Sequence, residues 1–525
     1  KYDLRNVDGK GTSYVTSVKD QNPYGTCWAF STLATAESNI LKKYSTSLDL
    51  SELQLAYFYT YGAKNSAGKY EDPLNNFNGD HPVGDWDMLD GGGNELDAMH
   101  LIASWIGVVQ EDSETEYGNA AAVKARVDNG STGLNYSYAF SKDAYHLKNV
   151  RIANIGTDIS TVKAMIINYG AVTMSYNMTS EYFNNSDYYS GTAFYDPNGS
   201  TATHAVSVVG WDDNFPRTNF NSNYRPSGNG AWLVRNSWGT GPHSGGYFWM
   251  SYESKFADPN AAACEYEPAS THDFCYQYDG GYESRSYYYV NYAANVFTAQ
   301  HDETLDAVAF WMGGAVNVPY TVYIVKNPSS DDPLSGNIVS AQSGTTTTAG
   351  YYTVSLSDTV KLTKGSKFAV IIQYDYDSTG GYIEADYTPN YIGNPTGFPR
   401  SISYSSSGQS FISSDGSSWR DISADGDKNL RIKAFTNKSS SAPTITKQPT
   451  STSAADGSTA SFSITATGSG LSYQWQYRTS SSGTWTNSQG GNYNKANFTP
   501  RVTYSMNGWQ YRCLVSNSYG TAFSS

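Results

Sequence analysis

Helical periodicity is confined to the first part of this 525-residue chain, and that limit constrains the fold more than any other feature. Up to about residue 255, apolar residues at three- and four-residue spacing predict helices over 27–43, 95–106 and 159–169. Runs rich in β-branched and aromatic residues predict strands over 202–211, 230–238 and 245–252. Helices early and strands late indicate a two-lobed α+β domain at 1–258.

The rest of the chain shows only strand signals. Residues 258–273 have a hinge-like composition, and beyond them short apolar runs alternate with turn clusters, as at 307–312, 319–325 and 367–374. This pattern predicts an all-β sandwich over 274–437. A Ser/Pro-rich segment, 437–450, has the composition of a linker.

The last region, 442–525, carries the side-chain pattern of an immunoglobulin-like sandwich. Trp475 matches the tryptophan of strand C, and Tyr511 with Cys513 matches the tyrosine corner. Ile464 stands where such domains have their other cysteine, so no inter-sheet disulfide is expected. The predicted fold class is therefore multidomain, with an α+β domain followed by two all-β sandwiches.

Composition narrows the classes of function. Lys and Arg number 34 against 48 Asp and Glu, and the net charge of -14 provides no basic surface for nucleic acid or an anionic membrane. Charged residues make up 16%, below the ~25% of an average chain, while 45 Tyr and 48 Gly favour an extracellular β-rich surface. No run reaches the ~18 apolar residues of a membrane span. The first residues, KYDLRN, lack signal-peptide features, as expected of a processed product.

Four cysteines in 525 residues do not make a disulfide framework, so each needs its own explanation. Cys27 lies in DQNPYGTCWAFSTL (20–33), where a Gly-containing turn meets the start of an amphipathic helix. A helix N-terminus lowers a thiol pKa and so favours the reactive thiolate. A small buried hydrophobic residue is the alternative for a lone cysteine. Cys264 and Cys275 either pair or stay free.

Six motifs in order give the first 255 or so residues a resemblance to the papain family of cysteine peptidases. They are Gln21 six residues before Cys27, CWAFS, LSELQL (50–55), GGG (91–93), THAVSVVGW (203–211) and NSWGTG (236–241). The resemblance implies a two-lobed peptidase domain that needs no cofactor for catalysis.

The same resemblance implies a role for each matched side chain. Cys27 would be the nucleophile, in a thiolate–imidazolium pair with His204. Asn236 would orient the imidazole. Trp238 would shield their hydrogen bond and bind substrate by lining the leaving-group side of the site. Gln21 would donate its side-chain amide to the oxyanion, where one such donor is worth about 3 kcal/mol.

The chemistry of acyl transfer also asks for a histidine. A cysteine nucleophile needs a base that later protonates the leaving amine, and His titrates near neutral pH. His204 lies in a predicted strand that holds its side chain firmly. The competing histidines lie in loops, on a helix face or outside the domain; they are His81, His100, His146, His243, His272 and His301.

Substrate contacts follow from the resemblance as well. Gly92 and Gly93 match the stretch whose backbone pairs with an extended peptide, and missing side chains permit that approach; a flexible turn is the alternative. Three small or polar residues would line the pocket for the residue two positions before the scissile bond: Asn94, Ser175 and Thr203. With Glu95 nearby, we expect the pocket to accept medium-sized, polar or basic side chains.

A disulfide of the family pattern is missing. Tyr24 and Asp90 stand where the family usually has the pair, and Cys27 is the only cysteine before residue 264. This fits a secreted enzyme of an organism that exports proteins with few disulfides, such as an anaerobic Gram-positive bacterium.

The spacing between Cys27 and His204, 177 residues, exceeds the ~130–150 of the family. We assign the excess to loops at 61–90 and 112–150, with a further insertion between His204 and Asn236. Loops at these edges restrict the cleft or recruit substrate. A histidine in the first loop raises an exopeptidase lid as an alternative, but the family's lid falls elsewhere, so an endopeptidase is favoured.

Residues 274–437 resemble the lectin-like domain that follows papain-type domains in some clostridial cell-surface peptidases. The aromatic run at 276–290 offers stacking surfaces for a cell-wall or host glycan, although core packing is the commoner use. The turn Asp425–Gly426–Asp427 offers oxygen ligands for Ca²⁺, but a solvated turn is favoured because no complete loop signature is present. The immunoglobulin-like module is expected to act as a spacer or an adhesive module.

Together these observations predict a secreted or wall-associated papain-like endopeptidase. It would hydrolyse proteins or peptides through an acyl-enzyme and arise from a zymogen whose propeptide lies outside this sequence. A cell-surface adhesin that keeps the papain-like fold for binding is the alternative, although all three catalytic residue types are retained. A transglutaminase-like acyl transferase shares the Cys–His order, but the CWAF and NSWG contexts argue against it.

Overall fold

The structure is a computed structural model, and it describes residues 1–63, 71–72, 77–78, 81–83, 87–178, 188–199, 201–241, 245–280, 285–314, 316–386, 400–402, 405–426, 428–438, 442–468, 470–517 and 519–525. The chain divides into two compact units. The first holds Lys1–Thr298, Asp306–Asp358 and Ser366–Thr436, and the second holds Ala299–Leu305, Thr359–Gly365 and Asn437–Ser525. No helix within the described ranges has the length and hydropathy needed to cross a membrane.

Most helices lie in the first third of the chain. They are α1 (Cys27–Tyr44), α2 (Glu52–Tyr61), α3 (Glu95–Ala103), α4 (Ala120–Asp128), α5 (Ser137–Phe140), α6 (Ile159–Tyr169) and α7 (Tyr376–Thr379), with 3₁₀ turns at Tyr117–Asn119, Arg217–Asn219, Ala269–Thr271, Ile422–Asp425 and Tyr504–Met506. The predicted helices are α1, α3 and α6. Helix α3 ends before the predicted residue 106 because Trp105 adopts a left-handed conformation, φ 75°.

Strands make up most of the remaining structure. In the first 268 residues they are Tyr2–Asp3, Glu71–Asp72, Phe77–Asn78, His81–Val83, Tyr145–Asn154, Val172–Tyr176, Tyr189–Ser190, Ala193–Phe194, His204–Asp212, Ala231–Arg235, Tyr247–Ser251 and Asn260–Pro268. Further on they are Phe274–Tyr276, Ser286–Tyr288, Tyr292–Thr298, Glu303–Gly313, Pro319–Lys326, Asn337–Thr345, Ala349–Leu362, Lys367–Tyr374, Tyr382–Asp386, Arg400–Ile402, Ser410–Ser413, Arg420–Asp421, Asn429–Leu430 and Ile432–Lys438. The six predicted strands up to residue 374 are all among them.

The first region has two hydrophobic cores, which correspond to two lobes. One core collects helical side chains, including Trp28, Leu33, Leu53 and Met99. The other lies between α6 and an antiparallel sheet, and its members include Ile166, Val172, Val208, Trp232 and Phe248. The predicted two-lobed α+β arrangement is confirmed.

The segment predicted as a hinge, 258–273, is instead part of the fold. Asn260–Pro268 is a strand that pairs antiparallel with Tyr145–Asn154 along its whole length. Its side chains alternate between the two cores: Ala262, Cys264 and Tyr266 in the helical core, and Ala261 and Ala263 in the sheet core. The hinge prediction is wrong because a strand buried on both faces shows no polar alternation in its sequence.

The first and second predicted domains share one core. Trp311, Tyr351 and Phe435 belong to the same cluster as Trp28 and Met99. Ala349–Leu362 also pairs with Tyr145–Asn154, so the sheet continues from one region into the other. The predicted boundary between 258 and 274 therefore lies inside one compact unit.

The second region is largely β. Six of its strands form an antiparallel sheet in the order Asn337–Thr345, Pro319–Lys326, Lys367–Tyr374, Tyr292–Thr298, Ser410–Ser413, Arg420–Asp421. Cys264 and Cys275 are both buried and are not joined by a disulfide, so the alternative in which they pair is not what the structure shows.

The second unit, taken by itself, contains short antiparallel strands. They are Thr444–Lys447, Phe462–Ser463, Thr465–Thr467, Ser472–Arg478, Thr486–Asn487, Asn497–Phe498, Gln510–Asn517 and Gly520–Phe523. Ile464, Trp475, Phe498, Cys513 and Val515 form its core, and Cys513 is free. Ile464 thus lies in the same core as Trp475 and Cys513, while the immunoglobulin-like assignment stays a prediction.

Candidate active site

Cys27 is the first residue of α1, a helix that is buried from Trp28 to Ile40. The two residues before it are anchored by hydrogen bonds: the Gly25 N–H donates to the Leu89 carbonyl at 2.8 Å, and the Thr26 and Tyr117 hydroxyls are 2.5 Å apart. Since the helix is held along its length, the thiol at its start has a defined location.

His204 and Asn236 meet from two neighbouring strands. His204 begins the strand His204–Asp212, and Asn236 follows directly after the paired strand Ala231–Arg235. Nε2 of His204 lies 2.8 Å from Oδ1 of Asn236, and Oδ1 also accepts the Ser237 N–H at 2.8 Å. Because the amide oxygen is an acceptor, Nε2 carries the proton and Nδ1 is left to act as a base.

The cysteine and the histidine belong to the same site. The N–H of Ala205, the residue after His204, hydrogen-bonds the Cys27 thiol. The Trp238 ring stacks on the His204 ring with centroids 4.8 Å apart, and the Tyr176 ring approaches it edge-on at 5.9 Å. The imidazole is therefore sandwiched and oriented, and both it and Asn236 are buried.

Burial dominates the titration of both reacting groups. It raises the pKa of the Cys27 thiol to about 11, against which the N–H groups of Ala205 and Trp28 lower it. It lowers the pKa of His204 to about 4, and the hydrogen bond with Asn236 raises it in opposition. Each charge is thus unfavourable when it forms alone.

Gln21 is buried and held by hydrogen bonds of both its side chain and its backbone. Its Oε1 accepts the Ser237 hydroxyl at 2.6 Å, its Nε2 donates to the Tyr24 carbonyl at 2.9 Å, and its backbone N–H donates to the Ser237 carbonyl at 2.8 Å. The Tyr117 hydroxyl donates to the Gln21 carbonyl at 2.8 Å. The amide is therefore oriented, and one of its two Nε2 protons suffices for Tyr24.

Ser237 and Tyr117 are site residues that the sequence did not single out. Ser237 lies inside the NSWGTG motif, so its position next to Asn236 was a usable signal. Tyr117 lies in one of the predicted loop insertions, 112–150, and no local pattern indicated that it would reach the site.

Gly92 and Gly93 are glycines for different reasons. Gly92 has φ +77°, a conformation that other residues adopt rarely. Gly93 lies so close to the indole of Trp28 that a Cβ there would stand 2.5 Å from the ring. Close packing against Trp28 thus excludes a side chain at position 93, whether or not the backbone there also contacts substrate.

The residues predicted to line the specificity pocket have defined partners. Oδ1 of Asn94 caps α3 by accepting the N–H groups of Leu96 at 2.9 Å and Asp97 at 3.1 Å. The Ser175 hydroxyl donates to Oε1 of Glu95 at 2.6 Å. The hydroxyl of the third, Thr203, bonds with the backbone of Met178. Their pocket role stays a prediction.

Glu95 is a buried carboxyl next to the reacting thiol. Burial raises the pKa of Glu95 to about 7, although the Ser175 hydrogen bond lowers it. Its negative charge in turn raises the pKa of Cys27. The Glu95 carboxyl therefore gains its negative charge near neutral pH, and that charge acts on the Cys27 thiol.

The positions of the missing disulfide are joined by the backbone. The residue after Tyr24, Gly25, donates its N–H to the carbonyl of Leu89, the residue before Asp90. The Tyr24 ring also contacts the Tyr117 ring edge-on at 6.1 Å. The hydrogen bond of Gly25 with Leu89 thus connects the two segments that a disulfide would join.

The other candidates have structural partners. His100 contacts Glu384, His146 contacts Asp143, and His272 lies between Glu267 and Asp306. His301 is exposed. The side chain of His81, the whole of His243 and Asp427 lie outside the described residues. Asp425 pairs with Arg420 and accepts the Tyr288 hydroxyl at 2.8 Å.

No group of three or more His, Cys, Asp or Glu is placed to hold a metal ion in the part of the chain that the structure describes.

Comparison with known proteins decides the family. The model of the papain family cysteine proteases matches residues 1–77 and 87–272, which is half of the chain. The chain belongs to the papain family of cysteine proteases. A lectin like domain model matches residues 275–436 of this papain-family chain. The predicted lectin-like character of the second region is thereby confirmed.

Curated papain-family relatives are distant in sequence. Fruit bromelain of Ananas comosus is 26% identical over 253 residues, which is 47% of this chain and 54% of that protein. Cathepsin K of Mus musculus is 24% identical over 245 residues, 46% of this chain and 57% of that protein. The chain thus spans about half the length of the curated relatives it matches.

Solved structures match over both regions. The cysteine protease and lectin-like domains of Cwp84, a surface layer associated protein of Clostridium difficile, are 26% identical with a TM-score of 0.60, over 81% of this chain and 87% of that one. A Cwp84 structure after propeptide cleavage is 27% identical with the same TM-score, over 81% and 97%. The combination of peptidase and lectin-like regions is therefore shared with this neighbour.

Proposed function

We propose that this chain is a cysteine endopeptidase that hydrolyses peptide bonds through an acyl-enzyme on Cys27. The observation that carries the proposal is the hydrogen bond of His204 Nε2 with Asn236, made while the Ala205 N–H bonds the Cys27 thiol. This arrangement directs Nδ1 of an oriented imidazole to the task of accepting the thiol proton.

The first half of the reaction acylates the enzyme. The Cys27 proton moves to Nδ1 of His204, and the sulfur attacks the peptide carbonyl carbon. The carbonyl oxygen becomes an oxyanion that the Gln21 side-chain amide and the Cys27 N–H stabilise. The C–N bond then breaks, and the imidazolium gives its proton to the leaving amine.

The second half restores the enzyme. A water molecule gives a proton to His204 and attacks the thioester carbon, and the C–S bond breaks. The carboxylic acid leaves, and the proton returns to the sulfur. The two protons exchanged with His204 balance over the cycle.

The Cys27 thiolate and the His204 imidazolium form together. Burial opposes an isolated thiolate and an isolated imidazolium, as the pKa shifts of Cys27 and His204 show. Proton transfer within the pair leaves the net charge unchanged, and the two opposite charges attract strongly in a desolvated site. The N–H groups at the start of α1 further favour the thiolate.

Substitution of Gln21 with Ala is expected to lower kcat by about 10²- to 10³-fold with little change in KM, because one oxyanion donor is lost. Ser237→Ala serves as a matched control: it keeps the amide and removes only the 2.6 Å bond that orients it, so a smaller loss is expected. Steady-state kinetics on a peptide amide measure both. An unchanged kcat for Gln21→Ala would contradict the oxyanion role.

We infer that Glu95 selects basic side chains two positions before the scissile bond. Burial raises the pKa of Glu95 to about 7, so its carboxyl is neutral below that pH and negative above it. The ratio of kcat/KM for Arg over Ala at that position should therefore rise about tenfold through neutral pH, equivalent to about 1.4 kcal/mol. Ionisation of Cys27 and His204 affects both substrates equally, so it cancels in this ratio.

The Glu95→Gln variant provides the control for this pH effect. It keeps an acceptor for the Ser175 hydroxyl but does not ionise, so the ratio should stay flat with pH. A peptide library dominated by bulky aromatic residues at that position would refute the assignment of the pocket.

An endopeptidase is distinguished from an exopeptidase by its products. Reduced casein incubated with the chain should yield internal fragments, identified by mass spectrometry, and blocking the peptide termini should not slow cleavage. Stepwise loss of one or two residues from an end would instead indicate an exopeptidase.

We further propose that the protein works at a bacterial cell surface after removal of a propeptide. Support comes from the Cwp84 neighbour, which is described as surface layer associated and was solved after propeptide cleavage. The low charge and the lectin-like region fit such a place. A glycan partner and Ca²⁺ for the lectin-like region remain parts of this proposal, whereas nothing in the comparisons supports the adhesin alternative.

A further inference from the structure

Helix α3 (Glu95–Ala103) borders the candidate cleft at its N-terminal end. Gly93 packs on the indole of Trp28, next to the nucleophile, and Asn94 caps the helix. Glu95, the first helical residue, bonds Ser175 on a strand of the other lobe. A shift of this helix therefore moves the wall of the cleft and the carboxyl that we assign to substrate selection.

Besides packing against α1, α2 and the strand Tyr145–Asn154, α3 is contacted by charged and aromatic side chains of the lectin-like region. Asp97 and His100 lie three positions apart, on one face of the helix. Asp97 forms an ion pair with Arg285, and Nε2 of His100 lies 2.9 Å from Oε2 of Glu384. The Trp311 ring stacks on the His100 ring with centroids 4.0 Å apart.

The charges at this contact are buried. Asp97 and His100 are 5% and 2% exposed, and Glu384 is 9% exposed. Burial raises the pKa of Glu384, but the hydrogen bond with His100 and the guanidinium groups of Arg431 and Arg285 outweigh it and lower that pKa below its ordinary value. Glu384 is therefore ionised, and His100 Nε2 donates the proton. The contact is thus a directed, charge-assisted hydrogen bond.

Buried ion pairs add little net stability compared with well-packed apolar residues. Separating the partners, however, leaves an uncompensated buried charge, so such a pair favours the one geometry in which both partners meet. The shared hydrophobic core already joins the two regions without them. Because Arg285 and Glu384 contact two residues on one face of α3, we expect their specific contribution to be the placement of that helix.

We propose that the lectin-like region is part of the peptidase's substrate-binding apparatus, with Arg285 and Glu384 acting as positioning residues that hold α3 against the cleft. The inference rests on the proposed function, because its consequence is measured on peptide hydrolysis. Arg285 and Glu384 contact α3. The catalytic residues lie on other elements: Cys27 begins α1, His204 begins the strand His204–Asp212, and Asn236 follows the strand Ala231–Arg235.

Two substrates separate positioning from catalysis. A peptide amide with a basic residue two positions before the scissile bond uses the pocket beside α3, whereas an ester of a single blocked amino acid does not reach it. Arg285→Met should lower kcat/KM for the peptide by about ten- to a hundredfold, mainly through KM. Hydrolysis of the ester should stay at the wild-type rate. Arg285→Lys, which keeps the charge, should restore part of the peptide KM.

Arg420→Met is the matched control. Arg420 forms an ion pair with Asp425 and its guanidinium lies over the Tyr288 ring, and both partners belong to the lectin-like region, not to α3. It should leave both substrates unaffected, with thermal unfolding followed for every variant. Glu384→Gln keeps an acceptor for His100 and covers the case in which Arg285→Met does not fold, with a smaller rise in peptide KM.

Three results would overturn the inference: an unchanged peptide KM in a folded Arg285→Met, an equal loss on both substrates, or the same loss in Arg420→Met. A wild-type chain that hydrolyses neither substrate would overturn the proposed function, and this inference with it.

Discussion

Replacing Cys27 with Ala is expected to lower kcat/KM for peptide hydrolysis by about a millionfold, the order seen when the nucleophile of a hydrolase triad is removed. Cys27 is half-buried at the start of α1, and alanine keeps its Cβ there. The loss should therefore appear in the rate and not in the unfolding temperature. Initial rates on a fluorogenic peptide amide measure it.

Cys264→Ala is the matched control for this prediction. Cys264 is a free, fully buried thiol, and burial raises its pKa so that it stays neutral. Its removal is expected to leave kcat/KM unchanged, with a modest decrease in stability from lost core packing. Retained activity in Cys27→Ala, or its loss in Cys264→Ala alone, would contradict the assignment of the nucleophile.

Replacing His204 with Ala is expected to lower kcat/KM by at least about 10⁴-fold, because the base for the thiol and the acid for the leaving amine are lost together. Since both residues act in the same step, the double variant Cys27→Ala/His204→Ala should be no slower than Cys27→Ala. Additive losses in the double variant would show that His204 acts outside the pair.

Two variants calibrate the histidine result. Asn236→Ala removes the 2.8 Å bond that orients the ring and keeps the base, so a smaller loss than for His204→Ala is expected. His301→Ala removes an exposed histidine far along the chain and should have no effect. An Asn236→Ala variant with full activity would mean that the stacking of Trp238 alone orients the imidazole.

The sequence predicted those parts of the fold whose signal is local. The apolar spacing of α1 and α6 gave their bounds almost to the residue, and the strand Lys367–Tyr374 was predicted with its observed ends. The segment 258–273 was misjudged because its strand is buried on both faces. The end of α3 was misjudged because a single left-handed residue, Trp105, stops the helix.

The same difference between local and long-range signals applies to the candidate site. Cys27, His204 and Asn236 lie in contiguous motifs, and the structure places them around one hydrogen-bonded cluster. Tyr117 and the contact of His100 with Glu384, which are 284 positions apart, depend on tertiary packing. Long-range contacts of this kind leave no periodicity in one sequence, so only the structure indicates that the lectin-like region reaches a cleft-bordering helix.

The most direct test of the central claim is mass spectrometry of the intact chain after treatment with an epoxysuccinyl thiol-protease inhibitor. The wild-type chain should gain one inhibitor, mapped to Cys27, with concurrent loss of peptide hydrolysis. Cys264, Cys275 and Cys513 should stay unlabelled because they are buried. Cys27→Ala should gain none. Hydrolysis that continues after labelling, or a label on another cysteine that abolishes activity, would contradict the proposal that Cys27 is the nucleophile.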